Sequence, residues 1–386
     1  MKKFNLVLMF LGVAMLAAGC GGSSSSAPGV VGKVTLTPLN AQSVAKGGMT
    51  SSQTTAKTGS GGASVVGVVA QPGAPRKSVK DIALAQLKRF EGLKLPAAPA
   101  GVVGVSVSLF QITFGCGVNA GTSQPIIPPS ANGPGTTTLV STSGTMAIDL
   151  VDTNNSGAFD NGDIASVTFA ACVDQTTTMD GVFSLTINSQ TGGVLNATSG
   201  MMEGTSGSVL VESVTMSFSG FTIVDTAPNP AEAIAMSGGF TLSITDDGIT
   251  MASTMSGTSF AMTSTIAGVA DTFTLKAPAS ASVFSIVVSE DSPTAASPAG
   301  NYSFSINMTT NIASLGEVDI TTTNSFTGTG TGEPTAGTMV ITGADGGTLT
   351  LTAQGDGVTV AMSLDTDGAA GPATTQILPN TDWTSI

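Results

Sequence analysis

The chain has 386 residues, with 25 acidic against 12 basic for a formal net charge of −13, and no histidine. The missing imidazole excludes Ser-His-Asp and Cys-His catalysis and His-ligated zinc, and it removes the ordinary general base near neutral pH. Only 10% of residues are charged, 41% are hydrophobic and 49 are glycine, a balance too apolar for disorder throughout and well suited to strands and turns.

Residues 1–19 read as a leader. Lys2 and Lys3 precede an apolar run from Phe4 to Ala18, and Leu16 stands just before Ala17-Ala18-Gly19-Cys20. The run falls short of the ~20 residues that a membrane-spanning helix needs. The arrangement resembles the lipobox of bacterial lipoproteins. The resemblance implies cleavage before Cys20 and attachment of lipid, palmitate included, to its thiol and new amino group. Several acyl chains make a firm anchor, because each buried CH₂ contributes about 0.8 kcal/mol. Gly21 stands where an aspartate would imply retention at the inner membrane, so the resemblance implies the outer membrane.

Residues 20–74 read as the lipidated cysteine and a flexible tether rich in Gly, Ser and Thr, with a weak local strand around Lys33–Leu39. Residues 75–100 hold an amphipathic helix and a linker. The helix is expected over 78–91, with Ser78 as N-cap and Asp81 three residues on. Val79, Ile82, Ala83, Leu87 and Phe90 share one face, and Gly92 and Pro96 close the segment. Lys80, Lys88 and Arg89 lie opposite, which suits packing of the apolar face onto a sheet or, as the alternative, onto a membrane surface.

From residue 101 to 386 the pattern changes to period two. Val105–Leu109, Phe183–Ile187, Phe240–Ile244, Tyr302–Ile306, Thr348–Thr352 and Val358–Leu364 alternate apolar residues with Ser or Thr. That is the pattern of half-buried antiparallel strands. Asp180-Gly181, Asp246-Asp247-Gly248, Asp345-Gly346-Gly347 and Asp356-Gly357 read as turns. The expected fold is all-β: a large antiparallel sheet of roughly 14 to 16 strands, as a sandwich or curled half-barrel, with one short N-terminal amphipathic helix. With one Tyr and one Trp in the chain, the aromatic girdles of a membrane barrel are missing.

One segment has the spacing of a metal site. In Asp152-Thr-Asn-Asn-Ser-Gly-Ala-Phe-Asp-Asn-Gly-Asp163, oxygen donors fall at Asp152, Asn154 and Ser156, with Gly157 at the sixth position. This resembles an EF-hand or dockerin calcium loop. The resemblance implies a structural Ca²⁺ held by Asp152, Asn154, Ser156, the Ala158 carbonyl, Asp160 and Asp163. The flanks, Met146–Val151 and Ala165–Ala170, read as strands where the resemblance has helices. The same residues also suit a hairpin loop without metal.

Apart from Cys20, the cysteines are Cys116 and Cys172. Outside the cytoplasm this pair is expected to be oxidised, the alternative being two buried thiols. Met201, Met202, Met216, Met236, Met251, Met255 and Met262 cluster in the central strands, as core filling or as the lining of a pliable cavity. Glu290-Asp291 cannot serve as a glycosidase pair, because neighbours on a strand point to opposite faces. Lys276 has no sequence companion for a Ser-Lys nucleophile. After Lys94 it is the one basic residue, which excludes nucleic acid as a partner.

The chain as a whole resembles a loose class of bacterial lipoproteins with a Gly/Ser tether and an acidic, Ser/Thr-rich β domain. The function expected is a non-enzymatic envelope role, structural or interactive, with the membrane as partner through the lipid. The alternative is a carrier of a lipid-like hydrophobic ligand.

Overall fold

Strands that bury one face must alternate apolar and polar residues, and this rule governs most of the described chain. The computed structural model describes residues 32–60, 107–115, 144–154, 161–174, 177–195, 202–225, 232–266, 269–292, 300–312, 315–330, 332–368 and 375–386. They hold one α-helix, α1 (Ala41–Ser60), and two short 3₁₀ turns. The strands of the first half are β1 (Val107–Gly115), β2 (Thr145–Asp152), β3 (Ile164–Asp174), β4 (Thr177–Thr191), β5 (Val194–Leu195), β6 (Met202–Glu203), β7 (Leu210–Asp225), β8 (Glu232–Asp246) and β9 (Thr250–Ile266). Those of the second are β10 (Val269–Lys276), β11 (Phe284–Asp291), β12 (Asn301–Ile312), β13 (Gly316–Thr329), β14 (Ala336–Thr342), β15 (Thr348–Ala353), β16 (Thr359–Asp365) and β17 (Thr375–Asp382).

Fifteen strands form one sheet in the order β1-β2-β3-β4-β7-β8-β9-β10-β12-β13-β14-β15-β16-β17, with β11 paired to β9 and β12. Pairing is antiparallel, and most neighbours in the sheet are neighbours in sequence, as hairpin connections require. β5 and β6 make a separate two-stranded ladder. The all-β expectation is therefore met. One face buries Leu185, Val214, Met216, Leu242, Met255, Ile286, Ile320 and Leu349 in a single apolar cluster. The other face carries hydroxyls that meet across strands: Ser166 with Ser184 at 3.0 Å, Thr215 with Thr241 at 2.8 Å, Ser243 with Ser213 at 3.1 Å. Such cross-strand pairs each contribute about 0.2–1 kcal/mol.

A line of bulges crosses the long strands. Register breaks fall between Phe169 and Cys172 on β3, Asp180 and Val182 on β4, Phe218 and Phe221 on β7, and Gly239 and Thr241 on β8. Beyond β9 the line meets a split strand position. Ser259–Ile266 of β9 pairs with β10, and Thr250–Gly257 pairs with β11. It continues between Phe304 and Asn307 of β12. Asp180-Gly181, read above as a turn, lies on this line in the interior of β4. The correction has a physical basis: Gly181 has φ +92°, and a Cβ there would lie 2.1 Å from the Gly220 carbonyl oxygen. A glycine at a bulge and a glycine in a hairpin look alike in sequence.

The stretch read as tether also departs from expectation. Gly32–Leu36 joins the start of β13: Val34 N donates to Glu317 O at 2.9 Å, Glu317 N to Gly32 O at 2.9 Å, and Ala344 N to Val34 O at 2.6 Å. A reciprocal cap follows. Thr37 N donates to Asn40 Oδ1 at 2.8 Å, and Asn40 N donates to Thr37 Oγ1 at 3.3 Å. With Pro38 between them, this is a capping box at a helix start. Helix α1 then buries Ala41, Val44, Ala45, Gly48, Met49 and Ser52 at helical spacing, against β9, β11, β12 and β15. Gly47 and Gly48 cost the helix about 2 kcal/mol against alanine. Burial of Val44 and Met49 alone contributes about 3–6 kcal/mol, so the seat on the sheet holds the helix together. The helix expected over 78–91 lies outside the described residues, as do residues 1–31 with Cys20.

Close approach is what the small face provides. A Cβ on Gly48 would lie 2.6 Å from Ile341 Cδ1. Gly48→Val is expected to overpack this contact and lower stability by about 1–3 kcal/mol in chemical denaturation. Gln42→Ala, on the exposed face of α1, should stay within about 0.5 kcal/mol of the parent. Equal stability of the two variants would contradict the seat described.

Candidate functional site

The sheet has two ends. Gly32–Leu36 enters at the near end, beside the β14–β15 turn. The far end carries the Asp152–Asp163 loop and the turns after β8, β13 and β15.

The loop joins β2 to β3, which confirms strands on both flanks and separates it from a helix-flanked calcium loop. Asp163 is fully buried. Its Oδ1 accepts from Thr153 N at 2.8 Å and from Thr153 Oγ1 at 3.3 Å. Asn154 Nδ2 donates to Asn161 O at 3.2 Å. The loop is tied to β4 as well: Gly162 N donates to Ile187 O at 2.6 Å, Ile187 N to Asp163 O at 3.1 Å, and Gln190 N to Asn161 Oδ1 at 2.7 Å. Ser156, Ala158 and Asp160 lie outside the described residues, as does the side chain of Asp152. The described half thus closes the loop by its own hydrogen bonds, using one oxygen of Asp163 to do so. A cation here would draw on the remaining donors, oxygens of the type that Ca²⁺ takes. Among the described residues, no group of three or more His, Cys, Asp or Glu could hold a metal.

The methionines occupy the core face. Met216, Met236, Met251 and Met255 are buried, and Met262 packs against the same cluster. Side chains of Met201 and Met202 lie outside the description. Lys276 is tied to Glu317 in an ion pair. Glu290 and Asp291 are adjacent on β11, and Asp291 Oδ2 accepts from Gly300 N at 2.8 Å, a turn-closing role. Cys172 is buried near the end of β3 and is disulfide-bonded, with its partner outside the described residues. Cys116 also lies outside them.

Sequence reading missed two features. The Thr37-Pro38-Leu39-Asn40 cap was there to be found, since Pro at the first helical position and a polar residue two further on mark a helix start. The other is a corner where the chain's single Trp and Phe304 pack on Phe326, with the single Tyr over Gly328 nearby. Phe304 and Trp383 lie 5.1 and 6.0 Å from the Phe326 ring. Tyr302 OH donates to Gly332 O at 2.7 Å. Burial pushes the Tyr302 phenol well above its ordinary range, and the Glu333 charge adds to the shift. Composition alone gives no sign that these residues meet.

Two far-end turns are closed by exposed aspartates. Asp247 Oδ1 accepts from Thr250 N at 2.7 Å and Ile249 N at 2.8 Å. Asp356 accepts from Thr359 N at 2.9 Å, Val358 N at 2.8 Å and Thr359 Oγ1 at 2.7 Å. These bonds, first of all those from Thr250 and Thr359, hold both carboxyls below the usual carboxylate range.

Compared with known proteins, the chain matches no family model, no curated protein and no solved structure at a significant level.

The lowered carboxyls fix a pH dependence. Their stabilisation is complete above the unfolded value of 3.8 and is lost as pH falls through the lower folded values. Asp247→Asn combined with Asp356→Asn should flatten the fall of the thermal midpoint between about pH 4 and pH 2. A midpoint curve parallel to that of the parent chain would remove the assignment.

Proposed function

We propose that this chain is a lipid-anchored, non-enzymatic protein of the bacterial cell envelope, held at the outer membrane through Cys20, with a structural or interaction role. One observation carries the choice of scaffold over carrier. Part of the face that a lipid-like ligand would need is covered by the chain itself, with Met49, Val44 and Gly48 of α1 seated on strands that present Ile312, Ile320 and Ile341. The absence of histidine from 386 residues supports the non-enzymatic reading. Export also supports pairing of Cys172 with Cys116, because Cys20 is taken by lipid in this reading. The Asp152–Asp163 loop is proposed as a structural Ca²⁺ site on its donor spacing.

Intact mass spectrometry of the full chain from membranes tests the anchor. The expected mass is that of a chain beginning at Cys20 with fatty acyl additions, and Cys20→Ala should appear in the soluble fraction. An unmodified N-terminus would remove the anchor. Native mass spectrometry tests the loop. One Ca²⁺, lost to a chelator and absent from Asp152→Ala, is expected. A metal-free mass in every condition would leave a hairpin loop, and a co-purifying lipid mass would favour the carrier.

A further inference from the structure

The far end of the sheet holds a patch that neither the core nor the 152–163 loop uses. Ile249 is 65% exposed at the tip of the β8–β9 turn, Val194 is 51% exposed in β5, and Val209 and Val211 are 45% and 40% exposed at the start of β7. Their segments interlock. A Cβ on Gly248 would lie 2.6 Å from Thr205 Cα, which sets the Ile249 turn against the Thr205–Ser208 turn. Ser208 Oγ donates to Gly193 O at 3.3 Å, beside Val194. Single exposed aliphatics are ordinary; these four stand on adjoining segments of one end of the sheet. The flanking charge has one sign. Asp247 stands two residues before Ile249, and Asp291 pairs with Thr250 across β9 and β11. Four lysines are described, and one of them, Lys57, stands in the last turn of α1. Lys33 is paired to Asp319 and Lys276 to Glu317 near the start of β13, and Lys46 adjoins Gly47, which packs on Ile312.

We propose that this end docks a basic protein segment, with aliphatic side chains against Ile249, Val194, Val209 and Val211 and Lys or Arg against the flanking aspartates. Charge decides among occupants. An anionic lipid surface is repelled by the aspartates. A second copy of the patch would set acid against acid, and a basic segment is complementary on both counts. The proposal gives the interaction role above its surface and partner class, and rests on that reading for the role alone.

The test uses the full chain and two 14-residue synthetic peptides, one of Leu and Lys in amphipathic order and one with Glu in place of Lys. Fluorescence anisotropy at low and moderate salt should show the Lys peptide binding at least tenfold more tightly than the Glu peptide, and weakening as salt rises. Val211→Ser combined with Ile249→Ser should cost at least tenfold. Leu39→Ser, at an exposed position of the near end, should change nothing. Equal binding of the two peptides, or unchanged binding by the double variant, would overturn the proposal. A chain found without lipid would remove the anchor and leave this result standing.

Discussion

Phe218 is the point on which the architecture turns. Its ring lies 5.4 Å from Phe183, 6.1 Å from Phe221, 6.3 Å from Phe240 and 5.7 Å from Phe260, rings supplied by β4, β7, β8 and β9. Strict alternation would forbid this meeting. Phe218 and Phe221 are three apart on one strand, and Phe169 and Cys172 on β3 are likewise three apart, yet all four are buried. An odd separation sends two residues to opposite faces of a regular strand. The bulges at these places return both to the core, and they bend the strands as they do so. Without them, half of each long strand would turn its apolar set to solvent, at about 1.5–3 kcal/mol for each large side chain. The bulge line is therefore what lets strands of 15 to 17 residues serve one core.

The second half of the sheet solves a different problem. Its strands are shorter, and α1 covers part of their apolar face. The helix is poor by propensity and good by shape. Two glycines and a stripe of small residues bring its axis close to Ile312 and Ile341, where larger side chains would hold it away. Entry is fixed by the bonds of Gly32–Leu36 to β13 and by the Lys33–Asp319 ion pair at 2.6 Å. The last strand is guarded in its own way. β17 carries Pro379, which has no N–H to offer, and its register skips between Leu378 and Thr381. Both devices blunt an edge against further pairing.

What was legible in the sequence follows from these constraints. Period-two alternation is local, so strands such as Phe240–Ile244 and Thr348–Thr352, with the turns between β8 and β9 and between β15 and β16, could be read directly. Bulges are set by tertiary fit, so Asp180-Gly181 looked like any other turn. Helix α1 was hidden by composition: Gly, Ser and Thr dominate it, and its apolar face is made of residues too small to register as a stripe. Of the loop, its place between two strands was legible, but the use of Asp163 as a buried acceptor for Thr153 was not. That role depends on β4 arriving beside it.

The position of α1 also changes what the anchor means. With the chain read as tether up to residue 74, the body would stand far from the lipid. With Gly32 already bonded to Glu317, eleven residues, Gly21–Val31, separate Cys20 from the sheet, a reach of at most about 40 Å. On the anchored reading the near end is thus kept close to the membrane, and Lys33 and Lys276 are paired toward that end. The far end, with its aspartate-closed turns and exposed aliphatics, lies a strand length further out. Charge sorted in this way has a physical consequence. An anionic membrane surface repels the acidic end and tolerates the end where Lys33 and Lys276 balance Asp319 and Glu317, so electrostatics and the short connection favour the same orientation. On the anchored reading, a body so oriented would offer a partner its far end first, because the chain joins the sheet at Gly32 and not after residue 74.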